Sequence, residues 1–288
     1  MKKRPILNIT RRFFLAIVFF YVAIASLPVH PQSSSEQSWS FAVMGDSQNK
    51  RAFPTLLQLI LNDSSRPEMV FLLGDMVRTG NDSAEWAKYR EVISILGNRI
   101  KLYPVVGNHD VSGTKDMGTY IKEAQPPGGK SYYSLIYKGA GFICLNSYEP
   151  EMAERIGPEQ MQWLKQTLKE MKAKAHPIFA FLHTPLLVRQ DYKHNAPLAD
   201  SDKVRAVFRV GGVTAVFVGH EHRYDHFEEK GIHYFVTGGA GAALYTQGED
   251  GFHHYCRVTV EPKKMLVEAI DMNGEKKKEV SISLGSNQ

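Results

Sequence analysis

Residues 103–110 read YPVVGNHD, a short apolar run that ends in glycine, asparagine, histidine and aspartate. Tyr103–Val106 has the length and apolar content of a buried strand. Asn108, His109 and Asp110 bring an amide, an imidazole and a carboxylate together directly after it. In an open α/β sheet, ligands bind in the crevice at the carboxyl ends of the strands. This stretch therefore predicts a strand that delivers polar side chains to a site.

The same arrangement of an apolar run followed by a polar cluster recurs at four other places. These clusters are Gly45-Asp46-Ser47-Gln48, Gly74-Asp75-Met76, His183-Thr184-Pro185 and Gly219-His220-Glu221-His222. In an extended segment, side chains two positions apart point to the same side, so His220 and His222 can grip one ion. A Gly-Asp pair alone is commonly a turn, and His183 alone could be a core histidine. All five clusters lie at predicted strand ends, which favours one shared site.

Strand-like and helical patterns alternate through the rest of the chain. The other strand-like runs are Ser40–Met44, Met69–Leu73, Phe142–Leu145, Pro177–Leu182, Thr214–Val218 and His233–Val236. One-sided apolar patterns predict helices around residues 56–61, 86–96, 158–171 and 204–208. Tyr255–Val260 and Met265–Ile270 predict a terminal hairpin. With no repeat and no break, the pattern indicates one α/β domain over residues 39–285.

The N-terminus predicts export. Residues 1–25 contain five basic side chains, no acidic one and an apolar run that ends in Ala-Ile-Ala, as in a secretory signal peptide. The apolar run is shorter than the roughly 20 residues of a membrane-spanning helix, although an uncleaved anchor is the alternative. Thr10–Leu15 also resembles a twin-arginine signal, so the general secretory and twin-arginine routes both stay open. Residues 26–38 are predicted to be a tether. The expected location is the periplasm or the extracellular space, with no stable membrane anchor after cleavage.

The charge balance argues against nucleic-acid binding, and the cysteine content argues against a disulfide scaffold and a thiolate metal site. Five of the 35 basic residues lie in residues 1–25, and the other 30 balance the 30 acidic residues. A neutral mature chain without a basic stripe is not expected to bind nucleic acid. Cys144 and Cys256 each lie in an apolar run, which predicts two buried free thiols rather than a disulfide scaffold or a thiolate metal site.

In their order along the chain, these motifs resemble those of the calcineurin-like metallophosphoesterases: Asp-x-His, Gly-Asp, Gly-Asn-His-Asp/Glu, His and Gly-His-x-His. The similarity runs from Phe41 to His222, and Gly238–Gly241 and the terminal hairpin also look like the family. The resemblance implies a four-layer αββα sandwich of two mixed β-sheets flanked by helices. It also implies a metal-dependent phosphoric ester hydrolase that acts on a small phosphomonoester or phosphodiester.

The resemblance further implies a centre of two divalent metal ions. Its motifs assign Asp46, Gln48, Asp75 and His222 to the first ion, and Asp75, Asn108, His183 and His220 to the second. Asp75 and His109 are the expected catalytic residues, the first as the bridge and the second as general acid for a leaving group displaced by metal-activated water. Gln48 stands where most of the family has histidine. Since its carbonyl oxygen suits harder ions, Mn²⁺ is expected, with Fe, Zn or Mg as alternatives.

Several interpretations stay open at this level. Arg78 could bind the substrate phosphate or form a surface salt bridge. The alternatives to a small-molecule phosphoesterase are a nuclease, which the neutral mature chain disfavours, and a non-catalytic metal- or ligand-binding member, which His109 disfavours. Tyr132, Tyr133, Tyr148 and Tyr245 could line the crevice or pack in the core. Histidines outside the motifs, among them His194, are interpreted as surface or packing residues. The oligomeric state is not indicated.

Overall fold

Alternating apolar side chains build two β-sheets that face each other. The computed structural model describes Met1, residues 38–149 and residues 151–285. The strands are β1 (Trp39–Met44), β2 (Met69–Leu72), β3 (Lys101–Pro104), β4 (Tyr133–Tyr137), β5 (Ala140–Cys144), β6 (Tyr148–Glu149), β7 (Met152–Ala153), β8 (Ile178–Leu182), β9 (Ala215–Val218), β10 (Tyr224–Glu229), β11 (Ile232–Thr237), β12 (His254–Val260), β13 (Lys264–Asp271) and β14 (Lys276–Ser283). The α-helices are α1 (Ala52–Asn62), α2 (Ser83–Ile93), α3 (Gly118–Ala124), α4 (Pro158–Lys172) and α5 (Ser201–Gly211).

Each large sheet has six strands and mixes parallel with antiparallel pairs. The first has the order β14-β13-β12-β1-β2-β3, and β1, β2 and β3 are parallel. The second has the order β10-β11-β9-β8-β5-β4, and β5, β8, β9 and β11 are parallel. A separate two-stranded ribbon pairs β6 with β7. The carboxyl ends of the parallel strands are where the five polar clusters emerge.

The core lies in three apolar layers. On β1, Phe41 and Val43 pack between the sheets, whereas Ala42 and Met44 pack against α1 and its neighbours. Between the sheets, the rings of Phe71 and Phe181 stack with centroids 4.0 Å apart. α4 and α5 cover the outer face of the second sheet. The layers therefore run helix, sheet, sheet, helix, which confirms the predicted four-layer sandwich.

The predicted strand-like runs and the terminal hairpin form strands, with bounds shifted by up to two residues. α3 and the edge strands β4, β10 and β14 were not among the predictions. β14 reads KKKEVSIS, and its lysines belong to an exposed sheet edge, where charge prevents edge-to-edge pairing and hides the strand pattern. Cys144 and Cys256 are buried free thiols, as predicted.

The predicted signal peptide and nearly all of the predicted tether lie outside the described residues. Among the residues that are described, no helix is both long and apolar enough to cross a bilayer.

Candidate metal centre

Five connections at strand ends converge on one site. Each predicted ligand follows a parallel strand of one of the two sheets: Asp46 and Gln48 follow β1, Asp75 follows β2, Asn108 follows β3, His183 follows β8, and His220 and His222 follow β9. The two sheets face each other across the aromatic layer, so ligands from both sheets meet at the same end of the sandwich. The site therefore joins residues that are far apart in sequence.

His183 lies at the centre of the ligands predicted for the second ion. Its Nε2 is 3.0 Å from Oδ1 of Asn108 and 3.1 Å from Nδ1 of His220. Those two atoms are themselves 3.1 Å apart. Oδ1 of Asp75 lies 3.6 Å from the same Nε2. All four side chains predicted for this ion are thus gathered around one point.

The ligands predicted for the first ion lie beside this group. Nε2 of His222 is 3.4 Å from Oδ1 of Asp46, which in turn is 4.0 Å from Nε2 of His183. One ligand atom from each of Asp46, Asp75 and His183 fits within 4.8 Å, close enough for a metal ion to be held among them. Asp75 stands between the two groups, at the position predicted for a bridging carboxylate.

Gln48 is joined to the site through Asp75. Its backbone N–H donates to the Asp75 carbonyl at 2.9 Å. The residue has a left-handed backbone, with φ of 42°. Gln48 is therefore held beside Asp75, the predicted bridging residue, through its main chain.

Hydrogen bonds behind the imidazoles fix which nitrogen faces the site. Nδ1 of His183 donates to the Leu73 carbonyl at 2.6 Å, and Nδ1 of His222 donates to the Ala243 carbonyl at 2.7 Å. Each donation leaves Nε2 as a lone pair directed at the predicted metal position. Backbone carbonyls behind metal-binding histidines serve this purpose in many metal sites.

The electrostatics of the site fit a cation. Burial raises the pKa of Asp46 and raises that of Asp75 to about 6. Burial, with His183 beside it, lowers the pKa of His220 to about 2. Burial also acts to lower the pKa of His222, but the hydrogen bond to Asp46 and the charge of that carboxylate outweigh it and raise the pKa. Buried carboxylates and inward lone pairs without a positive partner are costly, and a divalent ion supplies that partner.

Like Gln48, three other predicted ligands have strained backbones. The φ angles are 64° at Asp46, 52° at Asp75 and 69° at His220, all in the left-handed region that non-glycine residues rarely occupy. Glycines allow the close approach: a Cβ on Gly219 would lie 2.6 Å from Oδ2 of Asp46, and one on Gly107 would overlap Asp75. Such strain persists where the surroundings over-determine it, which is typical of functional sites.

Asp110, the last residue of the Gly-Asn-His-Asp motif, holds the loop that carries Asp75. Its buried carboxylate accepts the backbone N–H groups of Asp75, Met76 and Gly107 at 2.8–2.9 Å. A fourth N–H, from Val77, lies 3.3 Å away. Asp110 therefore fixes the loops that carry Asp75 and Asn108 relative to each other.

The predicted general acid stands outside the ligand cluster. Nδ1 of His109 donates to the Arg78 carbonyl at 2.7 Å, and Nε2 lies 3.9 Å from Oδ2 of Asp75. The side chain is 40% exposed, so a substrate can reach it. The Arg78 side chain is exposed and makes no ion pair within the described residues, so the salt-bridge interpretation finds no partner there.

Two aromatic side chains belong to the site although no motif contains them. The His194 ring lies 4.2 Å from the His220 ring, and the Tyr245 ring stacks on His222 at 3.9 Å. His194 is thus a half-buried packing residue, and the residue against which it packs is a predicted metal ligand. The only sequence signal was its place in the long connection after His183. Tyr148 also reaches the site, 5.7 Å from the His183 ring.

The other two candidate tyrosines do not line the site. Tyr133 is buried in the layer between the sheets, and its hydroxyl donates to the Pro104 carbonyl. Tyr132 packs against Trp163 on α4.

Comparison with known proteins agrees with this geometry. Residues 40–224 match the family model of the calcineurin-like phosphoesterases. The chain is 28% identical over 213 residues to the Bos taurus protein named serine/threonine-protein phosphatase CPPED1, with 69% of this chain and 67% of that protein covered. It is 27% identical over 207 residues to probable purple acid phosphatase 20 of Arabidopsis thaliana, covering 65% of this chain. Only 46% of that plant protein is spanned.

Two solved structures share the fold. A dimetal phosphatase from Danio rerio superimposes with a TM-score of 0.66 at 14% identity, covering 86% of this chain and 99% of that one. GAP50, described as the anchor in the inner membrane complex of Plasmodium, gives 0.70 at 13% identity, covering 87% and 90%. At such identities the likeness is one of fold alone. Together with the family match and the phosphatase relatives, the site leads to one conclusion: the chain belongs to the calcineurin-like phosphoesterase family, a class of metal-dependent phosphoester hydrolases.

Proposed function

We propose that the chain is an exported phosphoesterase that hydrolyses a small phosphomonoester with two divalent ions, Mn²⁺ being the expected metal. One observation carries the proposal: Nε2 of His183, Nδ1 of His220 and Oδ1 of Asn108 lie 3.0–3.1 Å from one another beside Asp75. The ring N–H of His183 is already donated to the Leu73 carbonyl, so its Nε2 offers a lone pair, and with Nδ1 of His220 and Oδ1 of Asn108 it forms a compact set of atoms that can bind a cation. The arrangement supports the metal set implied by the motifs.

The donor atoms divide between the two ions as the motifs assign them. Asp46, Gln48, Asp75 and His222 would hold the first ion, and Asp75, Asn108, His183 and His220 the second. Bound ions would supply positive charge to the phosphate oxygens and lower the pKa of a water molecule towards ~7. Oxygen atoms predominate in the first set, which suits hard ions such as Mn²⁺.

His109 moves the proton in the proposed reaction. Its Nδ1–H is committed to the Arg78 carbonyl, so Nε2 is the atom that carries the exchangeable proton. Nε2 faces the site beside Asp75 without belonging to the cluster around His183. We assign His109 the role of general acid, which gives its Nε2 proton to the departing alkoxide as the ester bond breaks.

The proposal of a phosphomonoester rests on the relatives. The Bos taurus and Arabidopsis thaliana relatives are both named phosphatases. The balanced charge of the mature chain gives no support for a nucleic-acid substrate. His109 is not needed to bind metal yet stands beside Asp75, which favours a catalytic role over a non-catalytic binding role.

Export remains part of the proposal. Residues 1–25 would be removed as a signal peptide and residues 26–38 would tether the 39–285 domain outside the cytoplasm. N-terminal sequencing of protein recovered from the periplasm or the medium should find a start near Ser26. Recovery of full-length cytoplasmic chain alone would contradict export.

The deciding experiment for the activity is a substrate screen of the purified chain. Phosphomonoesters, cyclic nucleotides and bis-aryl phosphates are offered with and without added Mn²⁺. We expect hydrolysis of monoesters that is abolished by a chelator and restored by Mn²⁺. Asp75→Asn, which removes the bridge, is the control. Activity that is indifferent to the chelator in a metal-free protein would overturn the proposal, and preferential cleavage of bis-aryl phosphates would replace the monoester with a diester.

A further inference from the structure

The segment after β9 has two different faces. His220 and His222 face the metal site, whereas Glu221, Arg223 and Asp225 contact residues 189–194 in the connection from β8 to α5. Two consecutive three-residue turns, from Glu221 N–H to the Gly219 carbonyl and from Arg223 N–H to the Glu221 carbonyl, produce this division. The same short segment therefore holds the metal ligands and a second loop.

Glu221 forms hydrogen bonds with the last two residues of the segment 189–194. Its buried carboxylate accepts the backbone N–H of His194 at 2.6 Å and that of Lys193 at 3.2 Å. It also lies 3.0 Å from Nδ1 of His194. A buried carboxylate is satisfied by several N–H groups, so these contacts fix the path of the loop where it passes the metal site.

Arg223 and Asp225 hold the rest of the loop through charges of alternating sign. Arg223 is buried and pairs with Asp191 at 3.0 Å, while its guanidinium lies 5.0 Å from the centre of the Tyr192 ring. Asp225 pairs with Arg189 at 2.6 Å and accepts a hydrogen bond from the Tyr192 hydroxyl at 3.0 Å. A loop anchored at this many points presents its remaining side chains in a defined place.

Lys193 is the charged side chain that this anchoring presents beside the metal centre. Its Nζ lies 4.0 Å from the centre of the Tyr245 ring, and the same ring stacks on His222. The ammonium is therefore one aromatic ring away from a predicted metal ligand. Lys193 is exposed and makes no ion pair with any residue that the structure describes. A cation held over a ring, yet without a carboxylate, is available to an anion.

We propose that Lys193 is a specificity-determining residue that recognises a second anionic group on the substrate. The inference rests on the proposed phosphoesterase function, since the scissile phosphate would occupy the metal centre. The recognised group would be a carboxylate or a second phosphate a few atoms away from the scissile phosphate. Glu221, Arg223 and Asp225 act as positioning residues that keep the ammonium beside Tyr245.

The first test measures binding and does not depend on hydrolysis. Mn²⁺-loaded protein is titrated calorimetrically with 3-phosphonopropionate and with its carboxamide, which differ only in the second charge. We expect the carboxylate to bind about tenfold more tightly, as for a hydrogen bond to a charged group. Lys193→Gln should reduce this ratio to about one, while Lys193→Arg should keep most of it. Lys169→Gln, an exposed lysine on α4, is the matched control and should keep the full ratio.

The second test compares turnover and distinguishes the two anions. The carboxylate probe is 4-(carboxymethyl)phenyl phosphate against its carboxamide, and the phosphate probe is butane-1,4-diol bisphosphate against 4-hydroxybutyl phosphate. A lower KM for one charged probe, lost in Lys193→Gln, would identify that anion as the recognised group. Asp191→Asn, which removes an exposed partner of Arg223, should weaken the preference in part.

Two results would overturn the inference. The wild-type protein could bind both phosphonates equally, or Lys193→Gln could leave the preference intact. Failure of the proposed function looks different: none of the four esters would be hydrolysed with Mn²⁺, while the phosphonate titrations would still report on Lys193.

Discussion

The backbone N–H of His109 donates a 2.9 Å hydrogen bond to Oδ1 of Asp75. The loop that carries the predicted general acid is therefore tied to the carboxylate predicted to bridge two ions. The imidazole itself is directed elsewhere, since Nδ1 donates to the Arg78 carbonyl and Nε2 stays 3.9 Å from the second carboxylate oxygen. One residue thus orients a ligand through its main chain and leaves its side chain free for proton transfer.

His109→Ala should lower kcat by about 10²–10⁴-fold, the usual contribution of a positioned proton donor. The loss should be larger for alkyl phosphates than for nitrophenyl phosphate, because nitrophenolate leaves well without a proton. Metal content, measured in parallel, should stay at the wild-type level since the side chain lies outside the ligand cluster. Equal losses on both leaving groups would assign His109 to positioning, and loss of metal would make it a ligand.

Metal affinity should decrease as the pH falls from 8 to 5. Burial raises the pKa of Asp75 to about 6, and Asp46 raises that of His222, so protons compete for both groups in this range. His220, with a pKa of about 2, should not compete. Calorimetry in buffers of different ionisation enthalpy should detect more proton release on metal binding at pH 6 than at pH 8. Affinity that is constant between pH 5 and pH 8 would contradict the assignment of these groups as ligands.

The metal-free protein should lose stability as the pH rises through the same range. The pKa of Asp75 is raised above its ordinary value of 3.8, so its contribution to the free energy of unfolding is complete below pH 3.8 and is lost as the pH rises to about 6. Asp75→Asn cannot ionise and should remove this part of the pH dependence. Denaturant unfolding with a chelator present, at several pH values from 4 to 7, provides the measurement.

Gln48→His should tighten metal binding at the first site and shift the preference towards softer ions such as Zn²⁺. The substitution would place an imidazole donor at a position whose main chain is hydrogen-bonded to Asp75. Calorimetric titrations with Mn²⁺ and Zn²⁺ compare the two proteins. Gln48→Ala separates lost ligation from general disruption. Unchanged affinities and stoichiometry in both variants would place Gln48 outside the ligand shell.

Asp110→Asn should lower the free energy of unfolding by about 3 kcal/mol, because an amide cannot accept all the buried N–H groups that the carboxylate now accepts. Asp116→Asn is the matched control. Asp116 is exposed and accepts a single N–H, from Gly118, which an asparagine oxygen can accept equally well. Urea unfolding of both variants tests the difference. Equal stability of the two variants would show that Asp110 does not support the bridge loop.

Local sequence was sufficient for the parts of the fold that repeat a short pattern. Apolar runs such as Phe142–Leu145 predicted strands because a buried strand is apolar throughout. β10 and β14 escaped prediction because they lie at sheet edges, where charged side chains are exposed to water and replace the apolar pattern. The stacking of two sheets came from family resemblance, since periodicity does not state which strands become neighbours.

The sequence by itself determined which residues could bind metal: the polar side chains stand directly after strands, and parallel strands present their carboxyl ends to a common crevice. Only the tertiary structure decided that His194 and Tyr245 pack against these predicted ligands. The His194 ring packs against the His220 ring at a tilt, and Tyr245 stacks on His222 while its ring also lies 4.0 Å from the ammonium of Lys193. These residues lie in long connections without periodicity, so their positions depend on distant contacts such as those of Glu221. Contacts between residues far apart in the chain leave no local pattern, and only the folded chain brings them together.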